Sequence, residues 1–346
     1  MDADLDALFA TMVAPAQPVA IARALDLVRE RYGLEPEASR LTGERDENFR
    51  LAAPGGAEYV LKIANPAESP AETDFQTAAL LHIERADPAL PCPRVLRERR
   101  GGAYVRFVDE GGAQRTARVL SYLPGRLLGA ARRSPPQRAA CGRIGARLAL
   151  ALRGFEHPAA ERKVVWDLRH TGHMRSLLDE LPRFPFRPAA AGLIERLASR
   201  IDSQLPHLRH QVVHNDLNPL NILVDPADES RVTGVIDFGD MTRTALIADV
   251  AVTAAELIPP ECVDPAEARA AVLDVTGGYH ERVPLLPAEL ALLGALTAAR
   301  LVMTVVIHEW HVQRNPASGH FKPLAEDFMG TRLHMADRLL LEEFRL

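Results

Sequence analysis

Two polar bends in the second half of the chain limit what it can become. In "VVHNDLNPLNILVD" (212–225), short apolar runs enclose His214, Asn215, Asp216, Asn218 and Asn221, and Pro219 keeps the chain extended or turned. A bend needs one or two turn formers, so this surplus of hydrogen-bonding side chains implies that the loop holds something. Sixteen residues after Asn221, Asp237 stands in a second bend, "VIDFGD". The segment "RVTGV" lies between them, and a hairpin there would bring Asp216, Asn221 and Asp237 within reach of one point. Two carboxylates and one amide carbonyl are hard oxygen donors. They suit Mg²⁺, which takes few protein ligands and fills its remaining positions with water and phosphate oxygens.

The surrounding chain changes texture once. Residues 18–32 carry apolar side chains at helical spacing (Ile21, Leu25, Val28) and stop at Gly33. "NFRLAA" and "EYVLKIA" flank Pro54-Gly55-Gly56, and "PCPRVLRER" and "GGAYVRFVD" flank Gly101-Gly102, which predicts two hairpins. "QRTARVLSYLPG" adds a fifth strand, and 71–86 a helix between the hairpins. After Gly125 the pattern is helical over 135–153, 191–205, 243–258, 264–280, 287–313 and near 323–344, interrupted by the strand-rich island 211–238. The expectation is an α+β, bilobal chain. Residues 1–122 form an N-terminal lobe, a small antiparallel sheet with one inserted helix behind the N-terminal helix. Residues 123–346 form a larger, mainly helical lobe, with a ligand cleft between the two.

Bulk properties exclude several alternatives. A net charge of −5 offers no general attraction to nucleic acid or to an anionic membrane. Cys92, Cys141 and Cys262 are odd in number and far apart, which supports neither a disulfide framework nor a zinc knuckle. The acidic start "MDADLDALFATMVAP" is unlike a signal peptide, and the most apolar stretch, "ALLGALTAARLVMTVVIHEW", is cut by Arg300 and reads as a buried helix. A cytoplasmic protein is the default expectation. "HEWH" (308–311) spaces its histidines three apart rather than four, so the zinc-protease pattern is not met.

H-x-D-x-x-x-x-N followed by D-F-G resembles the catalytic-loop and metal-loop pair of protein-kinase-like enzymes. The form "HNDLNPLNILVD…VIDFGD" looks more like the aminoglycoside phosphotransferase and choline kinase family of small-molecule kinases. Closer still, "GERDENFRL", "EYVLKIANPAE", "WDL", "HNDLNPLNIL" and "IDFGDM" resemble the hydroxylysine kinase group within it. The resemblance runs from about residue 40 to 250. It implies a protein-kinase-like fold and a kinase that uses Mg²⁺ and ATP or GTP. In these positions Asp216 accepts or orients the proton of the attacking hydroxyl, Asn221 and Asp237 hold the metal, and His214 braces the loop. Lys62, on the strand "YVLKIA", reaches the α- and β-phosphates, and the backbone around Ser121 and Leu123 meets the base.

Two departures from the pattern stand out. The inserted helix should offer Lys62 a glutamate, but the inward position counted back from Leu80 and Ile83 is Gln76, which can accept a hydrogen bond yet adds no countercharge; Asp74 is the fallback. The phosphate-covering loop "LTGERDENF" has one glycine, Gly43, so the side chains of Arg45, Asp46 and Asn48 are expected to substitute for close backbone wrapping.

The resemblance implies a small hydroxylated amine as the partner: a hydroxylated amino acid or an amino alcohol. Candidate pocket walls are Trp166, Asp167, Asp240, Glu256, Arg300, Glu309 and Trp310; acidic walls suit an amine and an arginine suits a carboxylate. Aminoglycoside, choline or homoserine kinases on the same fold are alternatives, as is a non-catalytic nucleotide-binding protein. Neither the oligomeric state nor the choice between ATP and GTP is legible.

Overall fold

The computed structural model describes Phe9, residues 18–43, residues 46–316 and residues 322–346. The chain divides into two compact units, one holding residues 18–124 with 157–159 and the other holding Phe9, residues 125–156 and the described residues from 160 onward, so Phe9 does not go with the expected 1–122 lobe.

The first unit is built on an antiparallel sheet. Helix α1 (Ile21–Tyr32) precedes β1 (Glu37–Leu41), β2 (Glu47–Ala52) and β3 (Glu58–Ile63). Helix α2 (Pro70–Ala86) follows, then β4 (Val95–Leu96), β5 (Val105–Val108) and β6 (Gln114–Ser121). The strand order is β1-β2-β3-β6-β4, with β5 also paired to β6. Alternation drives this arrangement: Phe49, Leu51, Leu61, Ile63, Ala117 and Val119 all turn inward and pack against Leu27, Val28 and Tyr32 of α1. Helix α2 starts at a capping box, with the Ser69 amide donating to Glu72 over 2.9 Å. Strand β1 escaped the sequence reading because "EASRL" is an edge strand with no buried position, so it carries no apolar alternation.

The second unit is mainly helical. Short strand β7 (Arg126–Leu127) joins β9 (Ile222–Val224) and β10 (Val232–Val235) in a three-stranded sheet, while β8 (His210–Val213) pairs with β11 (Thr242–Ala245). The helices are α3 (Pro135–Ala151), α4 (Met174–Asp179), α5 (Arg187–Gln204), α6 (Leu246–Leu257), α7 (Pro265–His280), α8 (Pro287–Arg314) and α9 (Glu326–Leu340). The expected helix at 243–258 begins at Leu246 instead, because residues 242–245 pair in register with β8. Helices α3 and α7 meet closely: a Cβ on Gly142 would lie 2.0 Å from the Val275 carbonyl oxygen, and one on Gly278 2.1 Å from that of Ala139. Helix α8 is long and apolar enough to cross a membrane, but 83% of its most apolar window is buried inside the protein, the environment of a core helix.

Candidate active site

The β9–β10 hairpin joins the two polar bends. Val235 pairs with Ile222, and one residue on the Ile236 amide donates to the Asn221 carbonyl over 2.9 Å, which sets Asp237 next to the end of the first bend. Both bends use left-handed backbone at a non-glycine residue, Asn215 with φ 66° and Asp237 with φ 58°. Asn and Asp tolerate that region best, and such conformations concentrate where side chains must be aimed for function.

Asp216 sits at the centre of the first bend. Its Oδ2 accepts from Asn218 Nδ2 (2.9 Å) and Asn221 Nδ2 (2.8 Å), and its Oδ1 accepts from Arg300 Nη2 (2.9 Å). Burial pushes the Asp216 carboxyl above the ordinary aspartate range; Arg300 pulls it back, and nearby Asp240 and Glu256 add to the rise. The side chain keeps 15% of its surface exposed, so an incoming hydroxyl can reach it.

The loop is braced from behind. The His214 ring is fully buried, packs edge-on against Phe238 at 4.9 Å, lies 3.1 Å from the Ile236 carbonyl through Nε2 and accepts the Asp216 amide at Nδ1. Burial holds its pKa down at about 4, so the ring is neutral. Asp249, in the first turn of α6, accepts the Asn215 amide over 2.7 Å. Burial raises its carboxyl to about 6 although backbone hydrogen bonds from Asn215 and His214 oppose the rise. Asn218 was named in the bend but given no role, and Asp249 was not singled out in the sequence. Asp249 leaves a usable signal, a lone carboxylate inside "LIADVAVTAA", because a buried charge must have partners.

The donors fit a hard divalent cation. Asn221 commits its amide nitrogen to the Asp216 side chain and backbone, which leaves its carbonyl oxygen as the donor atom. Asp237 is exposed, with Oδ1 accepting from the Gly239 amide at 3.2 Å. One amide oxygen and one carboxylate make the sparse donor set that Mg²⁺ completes with phosphate and water.

Arg300 ties together several of the expected wall residues. The residue is 3% exposed, and its guanidinium lies 4.5 Å over the Trp166 ring and donates from Nε to Glu256 Oε1 at 2.8 Å as well as from Nη2 to Asp216. Asp240 is half-buried and acts electrostatically on Asp216.

Other expected walls are placed differently. Asp167 is sealed from solvent. It caps the turn that follows by accepting the Arg169 amide (2.9 Å) and Arg169 Nε (2.7 Å), because Asp-x-Arg spacing folds the cation back onto it. Glu309 lies nine residues beyond Arg300 on the same helix, about 13 Å along its axis, and accepts from Gln313. Trp310 donates to Glu180.

In the sheet unit, Lys62 pairs with Asp46 at 3.6 Å, and Asp46 also accepts the Asn65 amide. Gln76 departs from expectation: its carbonyl accepts from Arg118, which stands directly across from Lys62 on β6. A buried guanidinium needs several acceptors, and Arg118 takes Gln76 together with the Thr73 carbonyl and the Thr77 hydroxyl. Asp74 meets His157 at 3.1 Å. Arg118 had a signal too, a lone charge within "TARVL". Asn48 bonds back to the Asp46 carbonyl, and a Cβ on Gly43 would collide with both, so that glycine lets the loop close on itself. Arg45 lies outside the described residues. At the end of β6 the Ser121 amide donates to the Arg94 carbonyl and its hydroxyl accepts the Arg94 amide, and the half-buried Leu123 follows two residues later.

The model of the phosphotransferase enzyme family matches residues 37–285, well over half of the chain. The chain belongs to the phosphotransferase enzyme family. Hydroxylysine kinase of Mus musculus is similar to this phosphotransferase, 26% identical over 332 residues that cover 89% of this chain and 87% of that protein. Among solved structures, amicoumacin kinase in complex with AMP-PNP, Ca²⁺ and Ami superposes with a TM-score of 0.69 at 15% identity, covering 98% of this chain and 96% of its own. A microcompartment-associated aminopropanol kinase gives 0.63 at 18% identity over 93% and 95%. These structural likenesses show a shared kinase-like fold. The phosphotransferase is therefore a small-molecule kinase, an enzyme that passes phosphate to an alcohol oxygen.

Proposed function

We propose that this kinase transfers the γ-phosphate of ATP or GTP, with Mg²⁺, to a hydroxyl of a small amino alcohol or hydroxylated amino acid of the hydroxylysine kind. The observation that carries the reading is Asp216, partly exposed and fixed by Asn218, Asn221 and Arg300. The acceptor hydroxyl gives its proton to Asp216 while its oxygen bonds to the γ-phosphorus. The bond from that phosphorus to the β–γ bridging oxygen breaks, and the nucleoside diphosphate leaves. The transition state is loose, so positioning and charge neutralisation supply most of the rate.

Asn221 and Asp237 would hold Mg²⁺, which neutralises phosphate charge when bound. Lys62, steadied by Asp46, is assigned the α- and β-phosphates, and the backbone near Ser121 and Leu123 the base. Hydroxylysine kinase among the relatives and aminopropanol kinase among the structures support an acceptor with both a hydroxyl and an amine. Phosphorus NMR on mixtures of the enzyme, Mg-nucleotide and a panel of hydroxyamines tests the reading. A new phosphomonoester signal with one or more acceptors is expected; nucleotide consumption that no acceptor stimulates contradicts it.

A further inference from the structure

Asp237 takes left-handed backbone, φ 58°, and its side chain is exposed. A carboxylate so placed keeps one direction only if its neighbours are fixed. The neighbour that touches it is Gly239. The Gly239 amide donates to Asp237 Oδ1 at 3.2 Å, and a Cβ on Gly239 would lie 3.1 Å from the same oxygen. A shift of Gly239 is therefore passed to the carboxylate. On its other side Gly239 is held from outside the loop: its carbonyl accepts from Arg162 Nη1 over 2.6 Å, with 77 positions of sequence between them. Both peptide groups around the Gly239 Cα are thus tied, one to Asp237 and one to Arg162.

Arg162 is itself anchored. Its carbonyl lies 3.0 Å, and that of Ala160 3.2 Å, from the buried Thr242 hydroxyl, which donates to them. The same hydroxyl accepts from Arg169 Nη2 at 3.2 Å, and Arg169 is closed onto the sealed Asp167. Thr242 opens β11, the strand that leaves the metal bend, so residues 160–162 are fastened to that stretch at two points, Gly239 and Thr242. Asp167 gains a use here: it steadies the cation that meets Thr242.

We propose that Arg162 is a positioning residue for the metal. By clamping Gly239 it fixes which way the Asp237 carboxylate faces, and Asp167, Arg169 and Thr242 keep Arg162 within reach. Groups that orient a metal's ligands govern its affinity almost as strongly as the ligands themselves. The proposal rests on the kinase reading above, which gives Asp237 to Mg²⁺, and adds a residue that acts through Gly239.

The test uses the full chain with Mn²⁺, a paramagnetic stand-in for Mg²⁺, and AMP-PNP or its guanine counterpart. Loss of the free-Mn²⁺ resonance gives the metal affinity without any turnover. Arg162→Gln, too short to keep the bond to Gly239, should bind Mn²⁺ on the order of 10-fold more weakly than wild type. Arg162→Lys keeps a donor of similar reach and should fall between the two. Affinity for the nucleotide analogue without metal, read on the same samples by calorimetry, should stay close to that of wild type, a result that an unfolded variant would not give. In turnover, the Mg²⁺ concentration for half-maximal rate should rise by the same factor as the Mn²⁺ dissociation constant. Should Arg162→Gln not fold, Arg162→Lys carries the test alone, and wild-type Mn²⁺ affinity there overturns the proposal. Asp237→Asn is the control: Mn²⁺ affinity unchanged in that variant would reject the metal role on which the proposal rests. Weaker Mn²⁺ binding in Asp237→Asn with wild-type affinity in Arg162→Gln, or an equal loss of nucleotide binding with and without metal in Arg162→Gln, would overturn the proposal and leave the kinase reading standing.

Discussion

Arg300 Nη2 lies 2.9 Å from Asp216 Oδ1, although 84 residues separate the two along the chain. Helix α8 thus supplies the charge that opposes the rise burial imposes on the candidate base. Removing Arg300 should have two distinct effects. Arg300→Met leaves Asp216 and Glu256 buried without their cation, which should cost about 3–5 kcal/mol of stability, read by denaturant titration. Asp216 acts in its ionised form, and without Arg300 its pKa climbs further. The acid limb of the pH–rate profile should therefore move to higher pH in whatever activity remains, and Arg300→Lys should move it less. An unshifted limb would show that Arg300 does not act on Asp216.

The His214 and Asp249 pair should give the metal-free protein opposing pH dependences. Asp249 has its folded pKa raised from 3.8 to about 6, so its contribution is fully present below the unfolded value and is lost as pH rises through 6. His214 has its folded pKa lowered from 6.5 to about 4, so its contribution is present above 6.5 and is lost as pH falls through 4. Each is worth about 3 kcal/mol at most. Relative to wild type, Asp249→Asn should lose less stability as pH rises from 4 to 6. Relative to wild type, His214→Gln should lose less stability as pH falls from 6.5 to 4. Urea melts across that window give both slopes.

Packing between α3 and α7 should be intolerant of a single methyl group. Gly278→Ala places Cβ 2.1 Å from the Ala139 carbonyl oxygen, a backbone atom that cannot swing aside. A loss of about 1–3 kcal/mol is expected, larger than for Gly192→Ala, where nothing lies within 4 Å of the added carbon. Equal melting temperatures for the two variants would contradict this contact.

Lys62→Ala should lower kcat/KM for the nucleotide on the order of 10–100-fold through lost phosphate contact. Asp46→Asn should have a smaller effect in the same direction, because Asp46 acts by steadying Lys62. Gln76→Ala should act mainly on stability, since Gln76 serves Arg118. A Gln76→Ala defect in nucleotide KM as large as that of Lys62→Ala would return Gln76 to the phosphate site.

The two bends were legible because each concentrates polar side chains that no turn requires, and the β-rich link between them implied the hairpin that pairs Val235 with Ile222. The sheet strands with apolar alternation were equally plain. What escaped was set by the partners each residue finds in the fold. Gln76 faces inward as its spacing implies, but its partner is Arg118, 42 residues away on another strand. Asp167 stands within a recognisable stretch, yet Arg169 closes it off two residues later. That Arg300 contacts Asp216 while Glu309 does not share its position follows from helical phase and length along α8, which come into play only once that helix is docked. Strand β1 and the first turn of the expected 243–258 helix depend on pairing with neighbours rather than on their own composition.

The most direct measurement is single-turnover phosphate transfer by wild type and Asp216→Asn, with nucleotide affinity measured on both. With Mg-nucleotide and a small hydroxyamine, wild type should form a phosphomonoester. Asp216→Asn should transfer on the order of 10²–10⁴ times more slowly while binding nucleotide about equally well. Equal transfer rates in the two proteins would contradict the assignment of Asp216 as the group that takes the acceptor's proton.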